Sequence, residues 1–189
     1  MNTTWIIIAI LVAVVLFAIV IFNGLIRLRN LVREAWSGID VQLRRRTDLV
    51  PSLVETVKAY AAHEHKLFED VAAKRASSIA ADNVPVQAAA EQALQGSLRT
   101  LFATAEAYPE LKADKNFLDL QHQLAEIEDQ LQMARRYYNG SVRNLNIKIQ
   151  SFPSNLVAGI LGFKAEPFFE LEDRAQAAAP TVAFADRKS

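Results

Sequence analysis

The side chains best suited to chemistry in this 189-residue chain are three histidines, several carboxylates and one stretch rich in arginine and tyrosine. Cysteine is absent, which excludes disulfides, thiolate metal ligands and thiol nucleophiles. The sequence also lacks the Gly-x-Ser-x-Gly elbow that presents the nucleophile in many hydrolases. The residue types present therefore do not support the hypothesis of a hydrolase or of a thiol enzyme.

A metal site in a helical bundle makes a stricter demand on residue spacing. A carboxylate-bridged di-iron site takes Glu-x-x-His from each of two helices and a glutamate from each of two others. The chain offers Asp119-x-x-His122 once, with aspartate in place of glutamate. His63-Glu64-His65 is not a zinc motif, because residues two apart on a helix do not face each other. We therefore predict no metal and no cofactor.

Glu126, Glu128 and Asp129 form the one close group of carboxylates in the middle of a predicted helix. Charged residues are expected on the face of a helix opposite its apolar seam. We interpret all three as a solvated face, so the sequence predicts that the protein is not an enzyme.

The stretch between Met133 and Asn146 is less easily explained. Tyrosine and arginine are enriched at interface hot spots, and asparagine is a poor helix former that needs a reason to lie in mid-helix. One hypothesis is a partner-binding surface. The other is a buried polar layer, with the amides pairing to Asp40, Gln42 or Arg44 on a facing helix. The candidate residues under both hypotheses are Arg135, Arg136, Tyr137, Tyr138, Asn139, Arg143, Asn144 and Asn146.

An apolar run from Trp5 to Phe22 precedes all of these residues, and no charged side chain occurs before Arg27. About 20 apolar residues span the hydrocarbon layer of a bilayer as one helix. A cleaved signal peptide would need a basic start, a shorter apolar run and a small-x-small cleavage site, which the sequence does not offer. Residues 1–26 are therefore predicted to be a single transmembrane anchor.

The charges that flank this run predict its orientation. Basic residues concentrate on the cytoplasmic side of a membrane helix. We expect the N-terminus outside and the remainder in the cytoplasm, at the cell (inner) membrane. The arginines, all of which follow the apolar run, are Arg27, Arg29, Arg33, Arg44, Arg45 and Arg46.

Apolar residues recur at spacings of three and four through the rest of the chain, which is typical of helices that pack along a seam. The predicted fold is all-α: a transmembrane helix followed by an up-down antiparallel four-helix bundle with long helices. Asp48 as an N-cap and Pro51 in a first turn favour a hairpin there, with a kinked continuous helix as the alternative. The bundle domain covers 27–163, with helices at about 27–46, 48–80, 86–107, 115–151 and a short 155–162.

The end of the predicted bundle is a short apolar segment with two possible surroundings. It packs on the base of the bundle, which we favour, or it rests in the lipid interface. Residues 164–189 are predicted to be an extended C-terminal segment followed by a disordered tail. The candidate interfacial residues are Leu156, Val157, Ile160, Leu161 and Phe163.

Three stretches resemble the LemA family of bacterial membrane-anchored proteins. Residues 133–156, which begin MARRYYNGSVRNLN, resemble its signature, and residues 45–58 resemble the opening of its second helix. Gly162-Phe163 with Phe168-Phe169-Glu170 resembles its C-terminal motif. The resemblance covers residues 5–172 and implies an anchored helical bundle without an established enzymatic activity. It also implies neighbours among membrane proteases and stress-linked membrane components.

Lys plus Arg and Asp plus Glu each number 21, so no charge excess points to nucleic acid. The hypothesis we favour is a non-catalytic, membrane-tethered scaffold or adaptor that binds other membrane proteins, in membrane stress or protein quality control. Its partners are the bilayer, other proteins and further copies of itself. The alternative is a membrane-surface or membrane-shaping protein, and a metal-dependent enzyme is the least favoured.

Overall fold

A computed structural model describes residues 3–170, and within them the chain is helical with no strand, which confirms the all-α prediction. The predicted disordered tail lies, from residue 171 onward, outside the described residues. The helices are α1 (Thr3–Lys58), α2 (His65–Ala80), α3 (Val84–Ala105), α4 (Pro109–Lys112), α5 (Lys115–Gln150) and α6 (Ser154–Ile160).

Helix α1 contains both the anchor and the first helix of the bundle. Its 56 residues extend about 84 Å at the rise of an α-helix. Its N-terminal part is long and apolar enough to cross a membrane, and nearly all of that part is exposed. From Ile21 onward one stripe becomes buried at the predicted spacing: Ile21, Leu25, Val32, Ala35, Ile39, Leu43, Val50, Leu53 and Val57.

The structure corrects the predicted helix break at residues 46–48. Helix α1 runs through Pro51, and the first turn in the chain comes at residues 59–64, so the predicted helices 27–46 and 48–80 are wrong. Proline lacks the N–H that would donate to the carbonyl four residues earlier, here that of Thr47. Arg75 on α2 supplies the missing donor, because its Nε lies 2.7 Å from the Thr47 carbonyl oxygen. The alternative of one continuous helix is the one observed.

The C-terminal half of the fold follows its predicted boundaries more closely. The Asp114 carboxylate accepts the N–H of Phe117 at 2.9 Å and caps α5, as the sequence predicts. That hydrogen bond holds the pKa of Asp114 below its usual value. Asn83 caps α3 in the same way through the N–H of Val86. Each cap is a residue directly before its helix, so the local sequence fixes where α3 and α5 begin.

Helix α5 returns antiparallel along α1 over most of its length, and α2 with α3 forms a second pair beside the distal part of α1. Two apolar clusters result. The proximal cluster, nearer the anchor, includes Leu43, Leu131 and Ala88, whereas the distal cluster includes Val50, Leu124 and Leu94. On each of α1, α3 and α5 a charged residue lies between the two clusters: Arg46, Glu91 and Glu128.

The contact between Arg75 and Thr47 gives a first prediction. Replacing Arg75 by Met leaves a buried carbonyl without a donor, which we expect to lower the free energy of unfolding by roughly 1–3 kcal/mol. In a Pro51→Ala background the N–H of the new alanine donates to the Thr47 carbonyl instead. The replacement of Arg75 should then lower the free energy of unfolding much less. Urea unfolding of the full chain in mild detergent measures both differences. An equal decrease in the free energy of unfolding in the two backgrounds would show that Arg75 does not substitute for the missing N–H.

Candidate functional site

The three charged residues between the apolar clusters form a connected group with three neighbouring polar side chains. We call this group the polar layer: Arg46, Glu91 and Glu128, with Arg135, Ser78 and Gln87. The guanidinium of Arg46, only 4% exposed, donates to Glu91 at 2.7 Å and to Glu128 at 3.1 Å. Arg135 donates to the other oxygen of Glu128 at 2.8 Å. One buried side chain of α1 therefore ties α3 and α5 together.

The second oxygen of Glu91 is held from α2 and α3. It accepts from the Gln87 amide at 2.9 Å and from the Ser78 hydroxyl, while Gln87 also donates to the Ser78 carbonyl at 3.2 Å. Glu91 is 2% exposed, so these donors replace the water it gives up on folding. Helices α1, α2 and α3 meet at this carboxylate, and Arg46 extends the connection to Glu128 of α5.

The electrostatics of the polar layer are balanced, with two guanidinium groups against two carboxylates. Burial lowers the pKa of Arg135, and the neighbouring Glu128 opposes that effect. Every oxygen of Glu91 and Glu128 accepts a hydrogen bond. A carboxylate that is fully paired in this way is suited to fixing helices rather than to moving protons.

This layer corrects the interpretation of Glu128 as part of a solvated face. Glu126 and Asp129 are exposed, but Glu128 is partly buried and paired with two arginines. The sequence did contain a signal for it. Arg46 follows Leu43 by three residues and precedes Val50 by four, which places a charge directly on the apolar seam of α1.

A second polar group joins α5 to the C-terminal segment, whose residues 164–170 are non-helical. Asn146 accepts the N–H of Glu166 at 2.9 Å and donates to its carbonyl at 2.9 Å. Asn139, one heptad earlier, makes the same two bonds with Phe169, at 2.9 and 3.1 Å. The two amides thus satisfy the backbone of an extended segment, as a neighbouring strand would.

The side chain of Phe169 completes this attachment. It is 2% exposed, with its ring centroid 5.9 Å from that of Trp36 and 6.0 Å from the guanidinium carbon of Arg135. The Tyr138 ring packs edge-on against Trp36, and its hydroxyl donates to the Pro167 carbonyl at 2.9 Å. Burial, with a smaller effect from Glu166, raises the pKa of Tyr138 to about 12. We call Trp36, Tyr138, Asn139 and Asn146 the cradle.

The structure divides the predicted arginine, tyrosine and asparagine cluster among different surroundings. Arg135 belongs to the polar layer, whereas Tyr138, Asn139 and Asn146 form part of the cradle. The amides bind the C-terminal segment rather than Asp40, Gln42 or Arg44, and Arg44 pairs with Asp40 on the surface. The remaining members are exposed: Arg136, Tyr137, Arg143 and Asn144.

These exposed members flank or belong to an outward stripe of α5. Its residues follow one another at spacings of four and three, like the seam on the opposite face of the helix. Three of them are large apolar side chains that are about half exposed: Met133 (52%), Tyr137 (51%) and Ile147 (55%). A side chain added at Gly140 would meet nothing within 4 Å. We call Met133, Tyr137, Gly140, Asn144 and Ile147 the outer stripe, which Arg136 and Arg143 border.

The predicted interfacial segment has two faces in the structure. Val157 and Phe163 pack against the proximal cluster, and the Phe163 ring lies 6.3 Å from that of Phe22 and 5.2 Å from the Arg29 guanidinium. Leu156, Ile160 and Leu161 are exposed.

The histidines lie apart from these groups. His63, His65 and His122 are all exposed, and residues 3–170 contain no group of three or more His, Asp or Glu side chains placed to hold a metal ion. The absence of a metal site stays a prediction.

Comparison with known proteins identifies the family. The model of the LemA family matches residues 35–184. The chain belongs to the LemA family. The LemA match begins within α1, beyond the anchor, and includes both the polar layer and the cradle. The protein is thus a membrane-associated helical member of the LemA family.

Relatives of this LemA family member are known in other bacteria. Magnetosome protein MamQ 2 of Paramagnetospirillum magneticum is 25% identical over 79% of the chain and 64% of its own length. MamQ of Magnetospirillum gryphiswaldense is 24% identical over 84% of the chain and 68% of its own length. Protein LemA of Metamycoplasma hominis is 29% identical over 72% of the chain and 63% of its own length. The chain thus spans about two thirds of the length of the curated relatives it matches.

The polar layer gives the second prediction. Arg46→Met leaves Glu91 buried without a cation, and breaking a buried pair in this way costs roughly 3–5 kcal/mol. Arg44→Met is the matched control, because it removes a pair with Asp40 that is exposed and worth at most about 1 kcal/mol. Chemical denaturation followed by circular dichroism compares the two variants. Similar losses in both would contradict the role assigned to the polar layer.

The cradle gives the third prediction. Asn139→Ala removes both backbone hydrogen bonds to Phe169, so the amide of Phe169 should exchange with deuterium at least about tenfold faster. Asn144→Ala changes the same residue type on the exposed face of the same helix and should leave that rate unchanged. Hydrogen exchange read by mass spectrometry on peptides covering 164–170 makes the comparison. Unchanged exchange in Asn139→Ala would mean that the amide does not hold the segment.

Proposed function

We propose that this chain is a non-catalytic, membrane-tethered scaffold or adaptor that binds other membrane proteins through the outer stripe of α5. The observation that carries the proposal is the repetition of seam spacing on the outside of the bundle. Met133, Tyr137 and Ile147 place apolar side chains at the positions where a further helix would pack. Tyrosine with neighbouring arginines, here Arg136 and Arg143, is the composition of protein interface hot spots.

The position of the outer stripe favours a partner in or at the same membrane. Because α5 runs antiparallel to α1, its C-terminal end lies beside the anchor. Asn144 and Ile147 line a crevice of about 390 Å³ together with Phe17 and Val20 of the anchor. A helix packed along the stripe would therefore lead directly to the bilayer. Membrane proteases and stress-linked membrane components are the partners that the family resemblance suggests.

The other polar groups of the bundle support a structural role. The carboxylates of the polar layer are occupied by donors, and the cradle is filled by residues 166–169. Neither group offers an unpaired base or nucleophile in a cleft, which is what an active site needs.

Orientation and self-association are parts of the same proposal. The arginines that follow the anchor favour a cytoplasmic bundle with the N-terminus outside. A second copy of the chain is one partner for the outer stripe, since Gly140 has open space in front of it where another backbone can approach closely.

The fourth prediction tests the outer stripe with two matched pairs of variants. Tyr137→Ala removes a half-exposed aromatic side chain of the stripe, and Ile79→Ala removes a similarly exposed apolar side chain of α2. Gly140→Leu fills the open space, and Gly38→Leu does the same at an equally open helical glycine of α1. Loss of a hot spot of roughly 2 kcal/mol weakens binding about 30-fold. We expect this loss for Tyr137→Ala and Gly140→Leu, and near-normal binding for both controls.

The measurement is co-purification of proteins with the tagged full chain from detergent-solubilised membranes, together with light scattering for self-association. The proposal fails if the unaltered chain captures no partner and stays monomeric. It also fails if the control variants lose partners as completely as the stripe variants do.

A further inference from the structure

The corner between α5 and α6, residues 151–161, exposes an unusual amount of apolar surface. Ile160 is 85% exposed and Phe152 is 80% exposed, more than any other large apolar side chain in residues 3–170, the anchor included. Leu156 and Leu161 are also more than half exposed. Contiguous apolar patches of this kind on a protein surface mark an interaction site.

The opposite face of the corner is firmly seated on the bundle. Ser154 and Ala158 of α6 are buried, and Val157 packs against the proximal cluster. The Ser154 hydroxyl donates to the Lys148 carbonyl at 2.6 Å. The protein itself thus fixes the direction in which Phe152 and Ile160 point. Their exposure follows from this packing and not from a loose segment.

The level of the corner along α1 indicates what covers it. Phe152 and Pro153 line a crevice of about 390 Å³ together with Phe17 and Val20, which lie inside the apolar run of the anchor. Phe163, just after the corner, packs on Phe22. Phe17 lies about 15 Å before Arg27, the first charged residue of the chain, at 1.5 Å per residue. A bilayer that covers Phe17 and Val20 therefore reaches the corner as well.

The charges around the corner fit the same surroundings. No charged residue occurs between Lys148 and Lys164, and these two lysines stand at its edges. Arg27 and Arg29 follow the apolar run of the anchor. An uncharged apolar centre bordered by basic side chains matches the boundary between acyl chains and anionic headgroups.

We infer that the corner is a second membrane contact, which enters the lipid interface on the side of the membrane where the bundle lies. Phe152, Leu156 and Ile160 reach the acyl chains, and the flanking lysines contact phosphate. The bundle is then held at two places, by the anchor and by the corner. Because the anchor and the bundle share helix α1, the second contact limits how α1 can tilt in the bilayer, so the outer stripe keeps a fixed position relative to the membrane. This inference does not depend on the proposed scaffold function.

The absence of cysteine allows a direct test in the full chain. Phe152→Cys and Ile160→Cys each receive an environment-sensitive fluorophore, and Ile79→Cys on α2, also strongly exposed, is the control. The labelled proteins are reconstituted into vesicles of phosphatidylethanolamine with phosphatidylglycerol as the minor lipid. Quenching is measured with nitroxide-labelled lipids and with iodide in the water. Circular dichroism confirms that each variant is folded, which is expected because these side chains make few contacts.

We expect lipid nitroxides to quench the labels at 152 and 160 about threefold more than the label at 79, with the order reversed for iodide. Equal lipid quenching at all three positions would place the corner in water and overturn the inference. A blue-shifted label at 160 that neither quencher reaches would mean that protein, such as a second copy, covers the corner. That result would overturn the inference as well.

Discussion

The contact between the Arg46 guanidinium and the Glu91 carboxylate is the constraint on which the arrangement of this bundle depends. A buried charge is tolerated only where partners replace its water, and Arg46 finds those partners on two helices at once. A shift of α3 or α5 by one turn, about 5.4 Å, would take Glu91 or Glu128 out of hydrogen-bonding distance of the guanidinium. The apolar seams favour helix pairing in general, whereas this contact selects one register, as polar residues on a coiled-coil seam do.

The polar layer fixes α5 against α1. The remaining faces of α5 then have different surroundings. One face closes the proximal cluster, and the asparagines beside it hold the extended C-terminal segment through its backbone. The third face, the outer stripe, keeps seam-like spacing, and its large apolar side chains are about half exposed. A long helix that satisfies two of its faces internally and presents the third is well suited to a scaffold role at a membrane surface.

The sequence predicted the features that local chemistry and periodicity decide. The long apolar N-terminal helix, the seam of α1 and the Asp114 cap were all confirmed. It favoured a break at Pro51, but the helix continues there, and the Thr47 carbonyl that the proline leaves without its usual donor accepts from Arg75, 28 residues after Thr47. It named Asn139 and Asn146 but not their partner, because an extended segment 20 to 30 residues later has no periodic signal. The seam position of Arg46 was a readable signal, but the run of neighbouring arginines obscured it.

The most direct test of this account is a double-mutant cycle with Arg46→Met and Glu91→Met, measured as the free energy of unfolding of the full chain in mild detergent. Arg46→Met leaves the buried Glu91 without a cation, and Glu91→Met leaves the buried Arg46 with Glu128 as its one remaining carboxylate partner. The double replacement removes both charges and leaves Glu128 paired with Arg135. The account predicts that the double variant is markedly more stable than the sum of the single losses allows, by about 2 kcal/mol or more. Additive losses would show that Arg46 and Glu91 act independently and would contradict the central role of their contact.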